Sequence, residues 1–210
     1  MMSYYYLTGS DGSGKTTFIK KLQKELKSKN IKTTSVWLRS PKITSKPLMA
    51  YCRLVGLTKY KIIDGEKYGA HHFYKSKFVS KIFPYLQFID FKLKWYLIQK
   101  KIPKNTILLF DRFNIDTLAD LMVDTKNLEL HRSYIGKKFL NFLPNRNNVI
   151  ILMVKEDIIR QRKKDTLYDE QLSFKLKVYN KLGEDLNIKI IDNNKDYQTV
   201  YEDIKNYLKI

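Results

Sequence analysis

The stretch that most constrains this chain is Gly9-Ser10-Asp11-Gly12-Ser13-Gly14-Lys15-Thr16, followed by Thr17. It matches G-x-x-x-x-G-K-[ST], a loop whose backbone N–H groups cradle nucleotide phosphates. Three of the chain's eight glycines, Gly9, Gly12 and Gly14, fall here, where the backbone turns inward and no Cβ can intrude. In such a loop Lys15, facing solvent at the phosphate site, reaches the β- and γ-phosphates of ATP, and the Thr16 hydroxyl ligates Mg²⁺. The pattern carries weight only between a strand and a helix. Before it, Ser3 to Thr8 is short and aromatic, suited to a buried strand. After it, Phe18, Ile19, Leu22 and Leu26 recur at helical spacing among lysines. A flexible Gly/Ser linker would not join two such segments.

The rest of the chain continues the alternation. Ile31 to Leu38 reads as a second strand, closed by Arg39-Ser40-Pro41. Thr106 to Phe110 is an apolar strand ending at Asp111-Arg112-Phe113, and an acidic residue there is placed to hold Mg²⁺ or its water shell. Strands at Asn148 to Val154 and Ile188 to Ile191, with helices over Asn114 to Val123, Tyr134 to Leu143, Leu167 to Leu182 (ending at Gly183) and Tyr197 to Leu208, complete the pattern. The expectation is one α/β domain over residues 1–210: a five-stranded parallel sheet with helices on both faces and the first strand central. Ligands of such a sheet bind beyond the carboxyl ends of its strands, which puts Arg39 on the ligand side as either a phosphate contact or a structural ion pair.

Residues 42–104 show no strand pattern and are expected to be an α-helical segment over the acceptor side, with helices at Pro47 to Leu57, Tyr68 to Phe83 and Tyr85 to Lys101. The last carries a narrow polar stripe (Gln87, Asp90, Lys94, Lys101) and is expected to be largely buried. His71-His72 has no cysteine or carboxylate cluster near it and is read as non-metal. Residues 155–167 open with Glu156-Asp157 and then place four cations in five positions, Arg160 to Lys164. That is either an exposed basic face or a lid that closes cations over transferring phosphates.

Composition sets the outer bounds. A formal charge of +19 attracts phosphates of some kind, or is simply a basic solvated surface. The lone cysteine, Cys52, excludes an internal disulfide. With no apolar run of spanning length and a strand starting right after Met1-Met2, a soluble cytoplasmic protein is expected.

These motifs together resemble the thymidylate kinase family of P-loop nucleoside monophosphate kinases. The loop with Asp11 in its middle is similar to that family's G-x-[DE]-G-[SA]-G-K-[ST]-T. Asp111-Arg112-Phe113 is similar to its Asp-Arg-Tyr/Phe, and Thr117-Leu118-Ala119 to the small-residue run behind it. The resemblance implies ATP-dependent phosphoryl transfer to dTMP or a related acceptor. Gly9 to Thr17 would bind nucleotide, and Thr16 and Asp111 would place Mg²⁺. Asp11, Arg39, Phe73 and Arg112 would hold the acceptor; Lys15, Arg112, Arg160 and Arg162 would be catalytic. The chain departs from the family at Arg39-Ser40-Pro41, which lacks a carboxylate, and at Asp120-Leu121, where the family has Tyr-Gln. A deoxynucleoside kinase remains an alternative. So does a non-catalytic nucleotide-binding protein docked to nucleic acid or an anionic membrane through its basic surface, and a homodimer is left open.

Overall fold

The computed structural model describes residues 3–63, 66–143, 145–163 and 166–210. Met1, Met2, Asp64, Gly65, Pro144, and Lys164 and Asp165 of the segment read as a lid or a basic face lie outside that set.

Five strands, β1 (Tyr4–Thr8), β2 (Thr33–Val36), β5 (Ile107–Asp111), β6 (Val149–Met153) and β7 (Lys189–Asp192), form one sheet in the order β2-β5-β1-β6-β7. Every pairing is parallel, and β1 is central, with Tyr6 opposite both Phe110 and Val149. Successive side chains on a strand point to opposite faces. Tyr6, Phe110 and Ile151 therefore pack on one side, under α3 (Lys77–Gln99), α4 (Asn114–Asp124), α5 (Tyr134–Leu140) and α7 (Leu172–Leu186). Leu7, Leu109, Ile150 and Ile191 pack on the other, under α1 (Lys15–Ser28) and α8 (Tyr197–Leu208). The apolar stripe of α1 (Phe18, Ile19, Leu22, Leu26) is fully used there, each residue contributing about 1.5–3 kcal/mol of burial.

The helix after the basic segment does not stop at Gly183 but runs through it to Leu186, and Asn187 ends it at φ 52°. Gly183 is instead a contact point: a Cβ there would lie 2.5 Å from the Ile190 side chain, so glycine lets α7 approach the sheet.

Residues 42–104 are only partly helical, which corrects the expectation for that segment. After α2 (Lys46–Leu54) come β3 (Thr58–Ile63) and β4 (Glu66–His71), an antiparallel pair separate from the main sheet. The missed signal is Asp64-Gly65, a two-residue hairpin dipeptide whose own structure lies outside the described residues. The two helices expected on either side of Pro84 are one helix, α3, with Pro84 inside it and Ser76 capping its start by accepting from the Val79 N–H at 3.3 Å.

The first half of the expected polar stripe faces inward, while Lys94 and Lys101 are exposed. Gln87 and Asp90 are buried. Gln87 donates to the Pro41 carbonyl at 2.6 Å. Asp90 accepts from the backbone of Ile43, Thr44 and Ser45 and from the Thr44 and Ser45 hydroxyls, at 2.5–3.0 Å. Burial would raise the Asp90 carboxyl, but these donors hold it below its ordinary value. The rest of the helix is not largely buried, because much of its apolar surface faces outward.

Candidate phosphate site and adjoining cavity

The turn from β1 into α1 carries Gly9, Gly12 and Gly14 at positive φ. Gly9 has no alternative, because a Cβ there would lie 2.4 Å from the Leu152 carbonyl oxygen. Lys15, the first residue of α1, curls back under the loop. Its Nζ donates to the carbonyls of Gly9 (2.9 Å) and Ser10 (2.6 Å) and to the Ser13 Oγ (3.1 Å). It is 4% exposed, so the expectation that it faces solvent is corrected: the ammonium occupies the ring of loop oxygens. Burial, and then the Arg112 charge, push Lys15 down to about 7. Phosphate oxygens placed over the loop would hold the ammonium charged.

Thr16 Oγ1 donates to Asp111 Oδ2 at 2.6 Å, joining the start of α1 to the end of β5. The second oxygen, Asp111 Oδ1, is buried with no partner among the described residues. A hydroxyl and a half-used carboxylate are hard oxygen donors, the set Mg²⁺ takes beside phosphates. The residues present fit that ion. Thr17 is exposed on α1, and its backbone N–H donates to the Gly14 carbonyl at 3.1 Å.

The centre of the charge network is Asp11. Both Arg39 Nη1 (3.1 Å) and Arg112 Nη2 donate to it, and Lys175 Nζ lies 3.8 Å away. Burial alone would raise the Asp11 carboxyl, but Arg39, Arg112 and Lys175 hold it far below the usual carboxylate range. Arg39 also grips Asp120 with two N–H bonds of 2.7 Å. Arg39 is thus a structural ion pair whose side chain also lines the adjoining cavity. Arg112 holds φ 80°, a conformation that costs a side-chain-bearing residue roughly 1–3 kcal/mol. Its carbonyl accepts from Leu38 N (3.2 Å) and its guanidinium also touches Asp116 (3.4 Å). Asp116 in turn accepts from the buried hydroxyls of Tyr6 (2.7 Å) and Tyr179 (3.0 Å).

A cavity of about 820 Å³ opens from this network, walled by Asp11, Arg39, Asp120, Asp124, His71 and Lys175 among others. Burial and the Asp120 charge one turn away hold the Asp124 carboxyl well above its usual range. Burial, and then Lys42, push His71 down to about 4, leaving a neutral imidazole. Phe73 does not face the cavity. It is fully buried, stacked on His71 with centroids 5.1 Å apart and against Phe83 at 4.5 Å. It is a core residue, and the rings on the cavity wall are His71, His72, Tyr74, Phe83 and Tyr168. The sequence does hold a signal for the wall that the motif reading passed over. Asp116, Asp120 and Asp124 recur every four residues and so share one face of α4.

The basic segment forms α6 (Glu156–Arg162). The Arg160 guanidinium is engaged by Glu156 (2.6 and 3.1 Å) and by the carbonyls of Thr166 (2.6 Å), Leu167 (2.7 Å) and Asp169 (3.2 Å). Arg162 donates to the Asn193 carbonyl at 3.3 Å, and the Asn193 amide donates to the Ser13 carbonyl at 2.9 Å, so Arg162 abuts the loop from behind. Among the described residues of this segment, Lys163 lines the cavity.

A comparison with protein families matches residues 4–210 to the KAP family P-loop domain. The chain belongs to that family. A search of the curated proteins found no match. The match makes this KAP-family chain a P-loop NTPase domain with a nucleotide site; it does not extend to thymidylate kinases in particular.

Proposed function

We propose that this KAP-family domain binds ATP with Mg²⁺ on the phosphate loop and transfers the γ-phosphoryl group to a phosphate-bearing acceptor seated in the cavity. A nucleoside monophosphate, dTMP or a relative, is the first candidate. The observation that carries the reading is the cavity itself. It begins at Asp11 inside the loop, and its 820 Å³ lies within the range of sites that hold a whole small-molecule ligand. A hydrolase needs room only for water.

In this reading Thr16 and Asp111 would hold Mg²⁺, which would supply positive charge to the transferring phosphates. Lys15 and the loop amides position the donor. Arg112 and Arg39 meet the acceptor phosphate, which competes with Asp11 for their guanidinium forks. Asp11, once released, turns to an acceptor hydroxyl. Such a site acts by positioning and electrostatics and needs no covalent intermediate.

A second reading, hydrolysis of ATP to drive a conformational change, is favoured by the pairing of both arginines with carboxylates of the chain itself. The test is incubation with Mg²⁺ and γ-labelled ATP, with and without a panel of nucleosides and nucleoside monophosphates. Label appearing on a monophosphate supports the transferase, and label on a nucleoside supports the deoxynucleoside kinase alternative. Release of inorganic phosphate at a rate no panel member alters refutes transfer in favour of hydrolysis. No turnover with ATP bound leaves a nucleotide-binding protein.

A further inference from the structure

Helix α3 presents an outward face that none of the described residues covers. Phe78, Ile82, Tyr85, Ile89, Leu93 and Tyr96 are each 37–64% exposed. Their spacing of four, three, four, four and three residues aligns them in one stripe along the whole helix. Isolated exposed apolar side chains are ordinary, whereas a contiguous stripe marks an interaction surface.

The charges beside the stripe identify what it meets. Lys77, Lys81 and Lys92 lie along one edge, and none of them has an ion pair among the described residues. Lys100 sits over the Tyr96 ring at 4.4 Å. The only carboxylate of α3 is Asp90, which is buried and engaged by residues 43–45. The face is thus apolar and cationic, with no negative group on it. A second copy of the chain would bring one +19 body against another, which like-charge repulsion opposes. An anionic lipid surface satisfies both features: apolar and aromatic side chains enter the headgroup boundary, and lysine heads reach the lipid charges. Among the described residues no helix is long and apolar enough to cross a membrane, so the helix would lie in the plane of the surface.

We propose that the outward face of α3 docks the protein on an anionic lipid surface, with the Phe78-to-Tyr96 stripe inserted among the headgroups and Lys77, Lys81 and Lys92 paired with lipid charge. This is independent of what the cavity binds. The test is co-sedimentation of the full chain with vesicles of phosphatidylcholine alone or mixed with phosphatidylserine, at low and high salt. The protein should sediment with the mixed vesicles only, and less so at high salt. Phe78→Ser, Ile82→Ser and Ile89→Ser combined should lower partitioning at least tenfold. Lys81→Gln and Lys92→Gln should each lower it about fivefold. The lysine variants lie on the exposed surface and leave the packing intact, so they keep the test decisive if the apolar triple variant folds poorly by circular dichroism. Failure to sediment with mixed vesicles, or binding that neither set of variants reduces, overturns the proposal. A dimer in sedimentation velocity that the stripe variant dissolves would assign the face to a second copy instead, and would equally overturn it.

Discussion

Replacing Asp11 by asparagine keeps the shape of the side chain and removes its charge, so the variant isolates what the charge does. Arg39 would keep Asp120 through two bonds of 2.7 Å. Of its carboxylate partners among the described residues, Arg112 would keep the 3.4 Å contact with Asp116, and Lys175 a 3.6 Å contact with Asp169. The loss therefore falls mainly on Arg112, whose side chain is 11% exposed. Leaving a buried ion without its partner costs about 3–5 kcal/mol. Because the Asp11 side chain is 23% exposed, solvent screening favours the lower end, about 3 kcal/mol. In a chain of this size each kcal/mol moves the melting temperature about 2–4 °C, so Asp11→Asn should lower it by about 6–12 °C near neutral pH. The pH dependence supplies an independent check. The folded carboxyl titrates far below its ordinary 3.8. Its stabilisation is therefore complete above that value and is lost as the pH falls beneath it toward the folded pKa. Calorimetry from neutral pH into the acid range should show parent and variant converging below about pH 4. A melting temperature lowered by less than about 2 °C, or a difference that stays constant with pH, would refute the reasoning.

Lys15→Ala should cut turnover by on the order of 3 kcal/mol of transition-state stabilisation, read as kcat/KM for ATP; an unchanged value would make the loop irrelevant to the reaction. Asp111→Asn keeps an acceptor for Thr16 but halves the hard donor set, so the Mg²⁺ concentration needed for half-maximal ATP binding should rise about tenfold or more, a change on the scale of one to two kcal/mol. Arg112→Ala should raise KM for the acceptor while sparing ATP affinity. Arg160→Ala should act elsewhere, by freeing the carbonyls of residues 166–169, and should show as faster hydrogen exchange there. Loss of ATP affinity in the Arg112 variant would remove it from the acceptor side.

The sheet and the phosphate loop were legible because their signals are local. A glycine pattern between an aromatic strand and an amphipathic helix leaves little freedom, and the strand-end Asp111 follows from the same logic. The network around Asp11 was half legible: Arg39, Arg112 and Asp11 could be named from motifs. Their mutual pairing, and the entry of Asp120 and Lys175, depend on how α4 and α7 pack. Residues 42–104 were the least legible. Lysines alternate through Thr58 to Ile62 where a strand with two buried faces would be apolar, and Pro84 reads as a break that tertiary packing overrides. Phe73 shows the same limit. An aromatic beside two histidines suits a base-stacking role, and only the fold reveals that it faces Phe83.

Gln87 and Asp90 fasten the middle of α3 to residues 41–45, directly beyond Arg39. A helix clamped in this way meets two surroundings, the proposed docking surface on its outer face and the cavity wall at Phe83 and Gln87. Thermodynamic reciprocity then applies. If contact along the stripe changes the affinity of the cavity for its ligand by some factor, filling the cavity changes the affinity of the stripe by that same factor. Gln87→Ala and Asp90→Asn would remove these bonds, and any such coupling should fall with them.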